Sequence, residues 1–107
     1  MKPTNAQLKK FWRWCGFKHI GIDELGVFGQ FPNHGVRLDL HLNLDNLFEY
    51  AVPKLGECEI DFVLIGTLYH CIIGVDKPND KCKAYDYFSH DAAKALFWTI
   101  WKVINEA

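Results

Sequence analysis

The sequence lacks any apolar run that could cross a bilayer: charge or glycine interrupts every hydrophobic stretch well short of the ~18 residues a membrane helix requires. No charge of one sign predominates either. Twelve Lys+Arg stand against 13 Asp+Glu, a formal net charge of -1, so there is no chain-wide positive field to hold a phosphate backbone through counterion release. Non-specific nucleic-acid binding is therefore not expected, and neither is a membrane partner. Repeats, low-complexity tracts and linkers are absent, which with a length of 107 residues predicts one domain over 1–107. The opening Met1-Lys2-Pro3-Thr4-Asn5-Ala6-Gln7 has no apolar leader core or small-residue cleavage site, and a cytoplasmic protein is expected. Cys15, Cys58, Cys71 and Cys82 form no C-x-x-C pair and lie inside apolar-patterned segments, as buried free thiols do. His19, His34, His41, His70 and His90 show no i, i+2 or i, i+4 pairing with one another, so no metal is predicted. Phosphate loops and serine-nucleophile elbows are also missing, and no cofactor is expected.

What is present is a dense apolar pattern: half of the residues are hydrophobic and 15% are aromatic. From Asn5 to Phe17, Leu8, Phe11, Trp12 and Cys15 recur at helical spacing, with Gly16 placed to end a first amphipathic helix. Gly21 to Gly35 reads as largely irregular, with strand-like stretches from Leu25 to Phe31 and from Val36 to Leu42 flanking a Pro32-Asn33-His34-Gly35 turn. In the second of these, Val36, Leu38, Leu40 and Leu42 alternate with Arg37, Asp39 and His41, the pattern of a sheet with one buried and one polar face. Asp45 is placed to cap a short second helix through Leu47, Phe48, Tyr50 and Ala51, which Pro53 should end or kink. Cys58 to Ile65, a Gly66-Thr67 turn and Leu68 to Val75 predict an antiparallel hairpin, followed by a strand from Lys81 to Phe88. Ser89 then opens a helix to about Asn105, with Ala93, Leu96, Phe97, Ile100, Trp101 and Ile104 on its buried stripe and Trp98 beside it. The predicted class is α+β, an antiparallel sheet layered between helices, with amphipathic helices at both ends of the chain.

Three stretches carry a resemblance: Phe11-Trp12-Arg13-Trp14-Cys15-Gly16-Phe17, the segment from Leu44 through Leu47-Phe48-Glu49-Tyr50-Ala51-Val52-Pro53-Lys54-Leu55, and Asp91-Ala92-Ala93-Lys94-Ala95-Leu96-Phe97-Trp98. Together they resemble the phage ABA sandwich domain, a family of small, mostly viral proteins, over nearly the whole chain. The resemblance implies a layered α/β/α sandwich and a bacteriophage or prophage origin. It implies no catalytic constellation.

Two groups of residues could carry chemistry. Asp39 and His41 share a strand face with Arg37, and a carboxylate beside an imidazole is the usual orienting pair of acid–base catalysis. The same alternation is what a solvated sheet face demands. Glu57, Glu59 and Asp61 alternate likewise and read as a solvated face rather than a cation site. The second group is aromatic and cationic. Trp14, Tyr69, Tyr85, Tyr87 and Trp98 are large rings off the plain core stripes, and Arg13, Arg37, Lys83, Lys94 and Lys102 lie near the same predicted faces, a combination that suits nucleobases and phosphates. Equally, such rings fill small cores or subunit interfaces. Joined to the resemblance, these positions predict a non-enzymatic, homo-oligomeric phage protein that sequesters a nucleotide-derived immune signal without cleaving it. The predicted ligand-binding set is Arg13, Trp14, Arg37, Asp39, His41, Lys83, Tyr85, Tyr87, Lys94 and Trp98. The alternatives are a protein-binding inhibitor or assembly factor acting through an exposed Trp98, and a hydrolase using Asp39 and His41.

Overall fold

The fold comes from a computed structural model that describes residues 2–24, 26–30, 37–76 and 82–105. The chain divides into two units, Met1–His41 and Leu42–Ala107. Each contains a three-stranded antiparallel sheet with strands in sequence order, so the protein is α+β with its strands in two sheets rather than one. The expected turn at Pro32-Asn33-His34-Gly35 lies outside the described residues, as do residues 77–81.

In the first unit, helix α1 (Asn5–Trp14) starts at a capping box: Gln7 N donates to the Thr4 hydroxyl, and Thr4 N donates to the Gln7 side chain. Its expected stripe is buried at Phe11, Trp12 and Cys15. Gly16 then takes a left-handed φ of 108°, letting the chain turn so that Phe17 N donates to Trp12 O at 3.1 Å. The Phe17 ring meets Trp12 edge-on at 5.8 Å. Strands β1 (Lys18–Asp23), β2 (Gly26–Gln30) and β3 (Arg37–Asp39) follow. β1 occupies a stretch whose glycines suggested irregular chain. Its one glycine instead makes room: a Cβ on Gly21 would lie 2.4 Å from the tip of the Phe28 ring on the paired strand. The β1–β2 register shifts between Lys18 and Gly21, and His19 within that bulge adopts φ 54°. On β3 and beyond it, Arg37, Asp39 and His41 are exposed while Leu40 is buried, as the alternation predicts.

The second unit opens with a helical segment that changes pitch twice: α2 (Leu44–Asn46), a π turn over Leu47–Ala51 and a 3-10 turn over Val52–Leu55. Its cap is Asn43, whose side chain accepts from Asn46 N at 2.8 Å, and Asp45 sits in the first turn instead. Pro53 brings no N–H, and just before it Val52 N–H reaches five residues back to Leu47 O, the wide π bond. Strands β4 (Cys58–Ile65) and β5 (Leu68–Asp76) form the expected hairpin around Gly66 at φ 63°. β6 (Cys82–Ser89) pairs with β5, leaving β4 and β6 as the edges among the described residues.

Helix α3 (Ala92–Asn105) is capped by Asp91, whose carboxylate accepts from Lys94 N at 3.1 Å, while Ser89 accepts from Asp91 N. α3 packs against β5, β6, α2 and the π turn. That double cover buries every residue from Ala95 to Ile100, more than one stripe. Beneath it lie Cys71, Ile73 and Tyr85. Thr99, buried among apolar side chains, donates to Ala95 O at 2.6 Å, which satisfies its hydroxyl. Among the described residues no helix is long and apolar enough to cross a membrane.

Candidate functional site

The β5–β6 register sets Tyr85 opposite Ile73 and Tyr87 opposite Cys71, so both tyrosines lie on the sheet face that α3 covers. From Trp101 onward α3 is half-buried to exposed, and beside β6 it forms a cleft of about 480 Å³ lined by Lys83, Tyr85, Asp86, Trp101, Lys102 and Asn105. That size falls within the ~300–1,000 Å³ typical of small-molecule sites. The Lys83 ammonium stands 5.6 Å from the centre of the Tyr85 ring and the Lys102 ammonium 5.4 Å from that of Tyr87, both within cation–π range. Lys102 also donates to the main-chain carbonyl of Asp86, which fixes its head group at the cleft wall. Asn105 Nδ2 donates to Trp101 O at 2.8 Å.

The tryptophans exchange the roles expected of them. Trp98 is only 5% exposed and packs edge-on against Phe97 at 5.0 Å and Trp101 at 6.5 Å, with Tyr87 at 6.0 Å. It is a packing residue, so the exposed Trp98 surface expected for a protein partner is not formed. Trp101, placed by its spacing on the buried stripe, is half-buried and lines the cleft. A helical wheel assumes one flat neighbour, whereas α3 is also flanked by the π turn, which moves the accessible sector.

The predicted set is thus divided. Lys83 and Tyr85 line the cleft, Tyr87 and Trp98 back it, and Lys94 sits in the first turn of α3 outside the lining. Arg13, Trp14, Arg37, Asp39 and His41 belong to the first unit. There Arg13 is exposed in the last turn of α1, and Trp14 is half-buried, its ring 6.2 Å from Phe11. Arg37 is engaged: it pairs with Asp23 at 2.5 Å and Asp39 at 3.8 Å, and its guanidinium lies 3.9 Å from the centre of the Phe28 ring. His41 is exposed just past β3. Trp101, Lys102 and Asn105 complete the cleft without belonging to the predicted set. They come together only where α3 lies beside β6, a tertiary relation that spacing along the chain does not show.

Other polar groups are accounted for locally. His70 bonds Asp86 at 2.8 Å and stacks on Phe88 with centroids 3.9 Å apart. Burial pushes the Cys71 thiol up to about 11, against a smaller opposing effect of the Thr99 hydrogen bond, so at neutral pH it stays protonated and poorly nucleophilic. Glu57, Glu59 and Asp61 are exposed, and among the described residues no group of three or more His, Cys, Asp or Glu side chains could hold a metal ion. A second opening of about 530 Å³ includes Asp45, Tyr69, His90 and Asp91 in its lining, with no Lys or Arg. Its carboxylates disfavour an anion, whereas the two ammonium groups of the first cleft favour one. Compared with known protein families, curated proteins and solved structures, the chain matches none.

Proposed function

We propose that the protein binds a small nucleotide-type ligand in the cleft between β6 and α3 and holds it without cleaving it. The observation that carries this reading is the placing of two lysines, Lys83 and Lys102, with the Tyr85 and Trp101 rings around one space of about 480 Å³. Ammonium groups neutralise phosphates, aromatic rings accept the flat face of a base, and the Asn105 amide can reach a base edge. A chain of net charge -1 attracts such a ligand only through this local pair of cations, which favours a compact anion over a long nucleic acid. The resemblance to the phage ABA sandwich family supports the biological side of the proposal: a phage or prophage protein acting in the host cytoplasm, a layered α/β/α sandwich, and an immune signalling nucleotide as the sequestered ligand.

The test is calorimetric titration of the purified chain with AMP, ADP-ribose and cyclic di-AMP, followed by chromatography of the ligand released on denaturation. At least one of the three is expected to bind and to be recovered intact. The Lys83→Ala/Lys102→Ala variant should lose roughly tenfold or more in affinity, the scale of hydrogen bonds to charged groups, with little change in melting temperature. Failure of all three to bind, wild-type affinity in the double variant, or a ligand recovered in pieces each overturns the proposal.

A further inference from the structure

The edges of the second sheet differ in kind. β6 carries Lys83 and Asp86, and Lys102 of α3 closes on its main chain at the Asp86 carbonyl. Charges of this sort are how natural sheets blunt an edge. β4 is paired only with β5 among the described residues, and its second half is Phe62-Val63-Leu64-Ile65, without charge, proline or glycine. These side chains are 37%, 45%, 61% and 54% exposed. By the β4–β5 register, Phe62 and Leu64 lie on the face of Tyr69 and Cys71 yet stay exposed, whereas Val63 and Ile65 lie on the opposite face with His70 and Leu68. A helix or a flat ligand laid on one face covers two of the four. An added strand gives all four a cross-strand neighbour and takes up the unpaired main-chain groups of the edge as well.

We infer that the strand is β4 of a second copy, paired antiparallel about a two-fold axis normal to the sheet to give a continuous six-stranded sheet. The charge pattern of β4 narrows the register. Its acids, Glu59 and Asp61, occupy the first half only. Two-fold pairings centred on residues 59, 60 or 61 set a carboxylate directly against a carboxylate, which is destabilising. Centring on Val63 instead sets Phe62 against Leu64 of the second copy on one face and Val63 against Val63 on the other, with the carboxylates apart. Such a strand is self-complementary, as an isologous interface must be. A net charge of -1 per chain leaves little repulsion between copies. The two clefts then lie at the far β6 edges, one per chain and both open.

The experiment is multi-angle light scattering of the full chain across dilution, with hydrogen exchange of the β4 amides at both extremes. The wild type should be a dimer at about 100 µM and shift toward monomer on dilution, with β4 amide exchange accelerating in parallel. Leu64→Lys should be monomeric throughout while keeping the wild-type circular dichroism, since position 64 is exposed. Val63→Cys should cross-link to itself with a short bis-maleimide under dimeric conditions, and the wild type, with Cys58 far from the axis, should not. A wild-type monomer at about 100 µM, a dimer unaffected by Leu64→Lys, or β4 exchange independent of concentration overturns the inference.

Discussion

The two sheets share strand number, strand order, antiparallel pairing and a helix packed against them, yet the first adds contacts of a different kind. In the second unit one face of the sheet lies beneath a helix: Cys71, Ile73 and Tyr85 are buried there, as are Leu96, Phe97 and Ile100 of α3. In the first unit the outward face of the sheet is closed by particular pieces. The tip of the Phe28 ring fits against Gly21, and Arg37 spans Asp23 and Asp39 while covering that ring. Apolar area is tolerant in detail but large in sum, whereas a fitted ring and a surface ion-pair cluster are specific and small. Substitutions should therefore separate the two sheets by the size and the kind of their effects.

The largest effect is expected at Leu96, fully buried on α3: Leu96→Ala should destabilise the protein by about 2–5 kcal/mol in urea unfolding, the usual range for an emptied core site. Gly21→Val tests the fitted kind. Its added carbon would collide with Phe28, at an expected cost of about 1–3 kcal/mol. Because the collision is with the ring tip, Phe28→Leu should recover part of that loss when combined with Gly21→Val, giving a favourable coupling in a double-mutant cycle. Additive losses would mean that Gly21 is required for its backbone and not for the space it leaves.

The same contrast explains what could be read in the sequence. Elements whose determinants are local were legible: the Leu8, Phe11, Trp12, Cys15 stripe with Gly16 at its end, the Gly66-Thr67 hairpin, and the alternation through Arg37, Asp39 and His41. β1 was not, because Gly21 reads as a breaker until Phe28 lies across from it. Both corrected caps had a second capping side chain within two residues, Asn43 beside Asp45 and Asp91 beside Ser89, and local pattern does not rank such neighbours. Of the candidate site, Lys83 and Tyr85 were visible as a cation and a ring on one strand face. Lys102 was visible as a cation but was not placed in the set, and Trp101 read as part of the buried stripe, since only the packing of α3 beside β6 brings them to the cleft. The exposure of Phe62 and Leu64 was likewise not legible, because it follows from strand order, which puts β4 at an edge among the described residues.

Smaller effects sharpen the comparison through pH and salt. Cys71 is raised from 9.0 to about 11 by burial, so the folded protein holds this proton more tightly than the unfolded chain does. Its contribution is present in full below pH 9 and is lost as pH rises from there through about 11. The wild type should accordingly lose stability over that window relative to Cys71→Ala, and native-state alkylation should reach half-buried Cys58 before Cys71. The smallest effect belongs to Arg37. Its carboxylate partners are 37% and 55% exposed, so Arg37→Ala should cost no more than about 1 kcal/mol from the ion pairs. Raising the salt concentration should erase the ion-pair part of that difference, because exposed pairs are screened. Whatever survives at high salt measures the guanidinium's contact with the Phe28 ring, and it should vanish in a Phe28→Leu background. A salt-independent loss that persists without the ring would show that Arg37 supports the first sheet by some contact other than these two.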